Sequence, residues 1–207
     1  MLKKYIWLFV VIIVFFQINF DINLFGQIDN KEFDRKVVQV GKKIADQFLI
    51  KLINSLEDTI QKEGTGEAVA VYEANINKIT QILKDDFNNK EIDIKLLSPR
   101  YRDMKNSPDY YEEQAYKDFQ KVWQDTGKYP PYIIQEIRRK GKVFYRYYEP
   151  LFVKKLCLRC HGTVAFLDAD AIKRIQQEHP NDNAIGYKLG ELRGFIRITI
   201  PQTFIAQ

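Results

Sequence analysis

Both cysteines of this chain and one of its two histidines fall within five residues, Cys157-Leu158-Arg159-Cys160-His161. C-x-x-C-H is the sequence to which c-type haem is attached. Two thiols separated by two residues reach the two vinyl groups on one edge of a porphyrin. The histidine after the second cysteine then lies under the iron and supplies an axial nitrogen. The tether keeps the group in place even when an iron–ligand bond breaks. Other chemistries share part of the pattern. A structural disulfide needs only the pair. A thioredoxin-like redox pair normally opens a helix in a βαβ setting, and no such pattern surrounds Cys157. A zinc site needs four ligands, which leaves His179 or a carboxylate to complete the set. The expectation is one covalently bound haem c.

Covalent haem attachment of this kind takes place outside the cytoplasm, and the start of the chain agrees with export. Met1-Leu2-Lys3-Lys4 is basic, Ile6 to Phe16 is unbroken apolar sequence, and Gln17, Asn19 and Asp21 end it. Basic, apolar, polar is the order of a secretory signal peptide, and the run is short of the roughly 20 residues of a spanning helix. Residues 1–26 are read as a signal peptide, with an uncleaved anchor as the alternative, and 27–207 as one domain facing the periplasm or another extracytoplasmic space. Membrane association is expected only if the segment is uncleaved.

The rest of the chain must position the motif. Phe33, Val37, Val40, Ile44, Phe48, Leu52, Leu56 and Ile60 recur at helical steps, predicting a long helix over 33–62 that Gly64 and Gly66 end. Glu67–Leu83 resumes helical spacing. Ile92, Ile94 and Leu96 alternate with polar residues as a strand does. Residues 109–126 read as a third helix, and 132–139 and 142–149 as strands joined by a tight turn at Lys140-Gly141. Ile196, Ile198 and Ile200 alternate again. Long N-terminal helices followed by mixed strands and helices give an α+β domain with an antiparallel sheet. Apolar residues at 45% and charged residues at 29% exclude a disordered chain, and two cysteines exclude a disulfide scaffold. The net charge of +5 comes from 32 basic and 27 acidic residues spread along the chain, without the basic block of a nucleic-acid binder.

Residues from about 35 to 201 resemble the Tll0287-like haem-binding domain in four stretches. They are Gly66-Glu67-Ala68-Val69-Ala70-Val71-Tyr72-Glu73-Ala74; Arg102-Asp103-Met104-Lys105-Asn106-Ser107-Pro108-Asp109 with Glu112 or Glu113; Tyr148-Glu149-Pro150-Leu151 leading into the motif and Gly162; and the run from His179-Pro180-Asn181-Asp182-Asn183-Ala184 to Glu191-Leu192-Arg193-Gly194. The resemblance implies a PAS-like fold with one covalent haem, in a module that occurs alone or ahead of a signalling domain. No residue follows Gln207, so no output domain is expected on this chain.

In members of that family a cysteine on the second helix can be the sixth iron ligand. By the match, Tyr72 stands there, and no third cysteine exists. Tyr72 as a phenolate ligand, Tyr72 over an open five-coordinate iron, His179 and Met104 are the alternatives for that side, and Tyr72 as a plain core aromatic is the other reading. Arg102, then Arg193, are the candidate partners of the haem propionates, because a guanidinium binds a carboxylate in bidentate fashion. Phe144, Tyr145, Tyr147 and Tyr148 either pack one face on the porphyrin or form ordinary strand core. Two functions follow: a redox or diatomic-gas sensor, and a small electron-transfer cytochrome with a redox partner protein. No distal His–Arg pair marks a haem enzyme, so no catalytic residue is expected.

Overall fold

The computed structural model describes the backbone of residues 2–206 and the side chains of residues 31–206. The expected signal peptide, residues 1–26, lies outside the residues whose side chains are described. Among the described residues, no helix is long and apolar enough to cross a membrane.

Helix α1 spans Leu2–Glu63 and covers the expected 33–62. Val37, Ile44, Phe48 and Leu52 are buried on one face, at the seven- and four-residue steps that keep side chains in register on a helix. Gly41 lies on the same face for a steric reason: a Cβ there would come within 2.5 Å of Cβ and Cγ of Tyr147. The missing side chain lets the helix sit directly on the sheet. Gly64, at φ 94°, breaks the helix, and α2 runs from Thr65 to Asp86 alongside it.

Four strands follow: β1, Asp93–Leu97; β2, Ile133–Arg139; β3, Lys142–Phe152; and β4, Leu192–Pro201. They form one antiparallel sheet in the order β1-β4-β3-β2. The α+β reading with an antiparallel sheet therefore holds. Lys140 and Gly141 both have positive φ, 51° and 76°, the twist that a two-residue hairpin loop requires. Helix α3, Tyr110–Thr126, packs on the opposite face of the sheet from α1.

The alternation in β4 marks two buried faces rather than one buried and one wet. Ile196, Ile198 and Ile200 face α1, and Phe195 meets the α3 layer. Arg197 and Thr199 on that second face are 5% and 4% exposed. The Arg197 charge is met by Glu112, to which Arg197 Nε donates at 2.9 Å and Lys95 Nζ at 2.7 Å. Glu112 also closes a capping box with Asp109 at the start of α3, and Asp109 takes both terminal nitrogens of buried Arg146 at 3.0 and 2.8 Å. The Pro108-Asp109…Glu112 stretch is thus a structural knot under the sheet. Three short helices complete the chain: α4, Lys155–His161; α5, Ala169–Glu178; and α6, Gln202–Ile205.

Candidate functional site

The C-x-x-C-H residues are the last five of α4, so Cys157 and Cys160 lie one turn apart on one helix face. Both thiols are free and half-buried. Cys160 packs against Val69 of α2 and Ala171 and Ile175 of α5. Burial pushes its thiol up to about 11. A thioredoxin-like pair needs the opposite, a thiol pushed down to give a thiolate near neutral pH. Among the described residues, no three His, Cys, Asp or Glu side chains gather closely enough to hold a metal ion.

Gly162 stops the helix where no side chain fits: a Cβ would lie 2.5 Å from the Leu158 carbonyl and 2.9 Å from Cβ of Phe166. The chain beyond it runs beside residues 184–187. The Gly186 amide donates to the Gly162 carbonyl at 2.8 Å, and the Tyr187 amide to that of His161 at 2.9 Å. This pairing sets the Ala184 carbonyl 2.7 Å from His161 Nδ1. A carbonyl only accepts, so Nδ1 carries the hydrogen. Burial, reinforced by Arg193 and Arg102, holds the imidazole well below its usual range. The ring is therefore neutral at physiological pH with its lone pair on Nε2, the form that ligates a metal.

Arg102 reaches this site. Its Nη2 donates to the Cys160 carbonyl at 2.6 Å and its Nε to Asp182 at 3.1 Å. The ion pair is well shielded, with side chains 14% and 5% exposed. A guanidinium so engaged positions the motif helix. Arg193 has no carboxylate partner among the described residues; its Nη1 donates to the Arg100 carbonyl at 3.2 Å.

Tyr72 is half-buried on α2. Burial pushes its phenol up to about 12, while Arg193 and Arg102 pull it down and Cys157 pushes it up. The same two arginines act on His161, so Tyr72, Cys157, His161, Arg102 and Arg193 share one neighbourhood. The other two ligand alternatives lie on the segments that flank Arg102 and Asp182. Met104 is 76% exposed in a single 3-10 turn, Met104–Asn106. His179 caps the C-terminus of α5, in the field of Asp103. The aromatic run before the motif is strand core. Tyr147 lies under Gly41, Tyr145 meets the ring of Phe33 at 5.0 Å, and Phe144 and Tyr148 turn to the other face.

A second tie escaped the sequence reading. Asp168 accepts from Arg159 Nε at 2.7 Å and from the hydroxyl of Thr65. The Gly66 amide donates to Asp170 at 2.7 Å, and a Cβ on Gly66 would press within 3.0 Å of the Asp170 carbonyl. The helix that carries Tyr72 and the helix that carries the cysteines are thereby fastened through one acidic loop. The visible signal was the Asp168-Ala169-Asp170 start of a short amphipathic segment.

A family model described as Tll0287-like matches residues 33–201. Among solved structures, the chain is similar to the crystal structure of the cyanobacterial heme-protein Tll0287, with a TM-score of 0.45 and 24% identity over 62% of this chain and 71% of that one. No curated protein matches the chain.

Proposed function

The chain belongs to the Tll0287-like family, and on that premise we propose that it is a haem-binding protein. In this reading one haem c is held by thioethers to Cys157 and Cys160, with His161 Nε2 as axial ligand. The observation that carries the reading is the 2.7 Å contact between His161 Nδ1 and the Ala184 carbonyl. It fixes the tautomer and orientation of the ring, as the outer hydrogen bond of a metal-bound histidine does. The residues present fit the group: two free thiols on one helix face, a neutral imidazole beside the second, and apolar packing around Cys160. When bound, the haem supplies a redox-active iron with one further coordination position.

This chain's own residues favour a ligand-binding role at that position. Tyr72 shares the neighbourhood, and burial pushes its phenol up to about 12. Forming the phenolate at pH 7 without iron would cost about 7 kcal/mol, at about 1.4 kcal/mol per pK unit. A neutral phenol is a weak ligand and a good hydrogen-bond donor, which suits a sensor of redox state or of a diatomic gas. An electron carrier is the second reading, favoured because every residue of α4 is at most half-buried, which leaves an edge of the site near solvent. The thioether reading and the basic-apolar-polar start of the chain favour an extracytoplasmic body, and neither role assigns a catalytic residue.

Haem staining on a denaturing gel tests the attachment. Stain should remain with the wild-type chain and vanish from the Cys157→Ala, Cys160→Ala double variant. Optical spectra then separate the roles. A ferrous state that binds CO readily supports the sensor, whereas a six-coordinate, low-spin ferrous state indifferent to CO would establish the carrier.

A further inference from the structure

A cavity of about 410 Å³ opens between α3 and the start of β4, walled by Tyr116, Trp123, Tyr129 and Phe152 and floored by Arg100 and Arg193. No residue of the C-x-x-C-H motif lines it. Its size falls among small-molecule sites, about 300–1,000 Å³.

The walls are unusual for the surface of a folded domain. Trp123 and Tyr129 stack at 6.1 Å with their planes 21° apart, and Tyr129 meets Phe152 at 5.9 Å. Trp123 nevertheless remains 45% exposed and Phe152 43%. Aromatic side chains are the largest apolar surfaces a chain can bury, and a cluster left open at the mouth of a cavity marks a place where something flat binds.

The floor supplies the polar half. Arg100 is engaged, with Glu191 at 3.5 Å and the carbonyls of Asn183 and Ile185. Glu191 is engaged as well, since it also accepts the Lys188 amide at 2.9 Å. Arg193 differs. It stands over the ring of Tyr187 at 5.2 Å and donates one N–H to a carbonyl, and no carboxylate among the described residues meets it. A guanidinium with donors to spare is a fork shaped for a carboxylate.

We propose that this cavity binds a small aryl carboxylate, its ring against Trp123, Tyr129 and Phe152 and its carboxylate on Arg193. The site stands on the cavity, its rings and Arg193; because Arg193 also acts on His161 and is the second candidate partner of the haem propionates, the proposal rests on a haem whose propionates leave that guanidinium to the cavity.

The test uses the full-length chain as purified, with Trp7→Phe so that Trp123 is the sole tryptophan. Phenylacetate is the probe; phenylacetamide and phenylethylamine are the neutral and cationic controls. Phenylacetate should quench Trp123 emission saturably and bind at least about tenfold more tightly than either control, a difference of about 1.4 kcal/mol. Arg193→Gln should abolish that preference, Arg193→Lys should keep part of it, and Trp123→Leu should weaken binding measured by calorimetry. Equal affinity for phenylacetamide, an unchanged preference in a folded Arg193→Gln chain, or no saturable binding would each overturn the proposal. If Arg193→Gln fails to fold by circular dichroism, the comparison of acid with amide on the parent chain decides alone.

Discussion

Asp182 holds Arg102 with one carboxylate oxygen, at 3.1 Å, and the Ala184 amide with the other, at 2.7 Å. Arg102 in turn holds the Cys160 carbonyl, and the Ala184 carbonyl receives the His161 ring. One ion pair thus anchors both the helix that bears the cysteines and the peptide that orients the histidine.

Removing the cation should therefore loosen both. Arg102→Gln is expected to lower stability by about 3–5 kcal/mol, the cost of leaving a buried partner charge alone. Urea unfolding monitored by circular dichroism measures this. The haem spectrum of the variant should also broaden and shift, because the imidazole loses its fixed orientation, while haem staining on a denaturing gel persists.

Tyr72→Phe removes one oxygen and little volume. If the phenol faces the iron, the ferric spectrum should change and the CO-bound ferrous form should lose CO faster for want of a hydrogen-bond donor. Stability should shift by no more than about 1 kcal/mol, the net worth of a single hydrogen bond. Unaltered spectra and CO kinetics would mean that Tyr72 is merely core.

The acid limb of stability should carry a mark of Asp109. Burial alone would push its carboxyl up; the Arg146 guanidinium and the Glu112 amide outweigh this and hold it below the ordinary carboxylate range. A group depressed on folding stabilises above its unfolded value, about 3.9, and loses that contribution as the pH falls through its folded value. Asp109→Asn should therefore unfold more easily than the parent at pH 6, and the gap between their urea midpoints should close as the pH falls toward 2.

Gly41→Ala tests the helix–sheet contact. Alanine favours a helix over glycine by about 1 kcal/mol. The new methyl would meet Tyr147 at 2.5 Å, close to the strand backbone, where neither partner can swing away. Overpacking of that kind costs about 1–3 kcal/mol or more, so the net effect should be a lower melting temperature. Adding Tyr147→Ala should relieve part of it, and a double variant whose losses simply add would refute the contact.

Local patterns made much of this legible. The helical steps from Val37 to Leu52, the Lys140-Gly141 turn and the five-residue motif each rest on neighbours within a few residues. What stayed hidden depends on residues far apart. Arg102 was visible through its place in the family-like Arg102–Asp109 stretch, but its partner Asp182 lies 80 positions on, and nothing local distinguishes that carboxylate from the others. Arg197 and Thr199 read as a wet strand face because their period is that of solvent exposure. Only the arrival of Glu112 from α3 makes burial of that face possible. The Asp168 tie was invisible for the same reason, since it joins a helix start to residues about a hundred positions away.

The order of the sheet imposes a timetable. β1 has a single neighbour, β4, and Asp93 pairs with Thr199. A chain that emerges from its N-terminus must carry β1 unpaired until the last strand has been made, and non-local pairing of this kind is slow. Cys157, Cys160 and His161 come out before β4, while the sheet still lacks its inner strand.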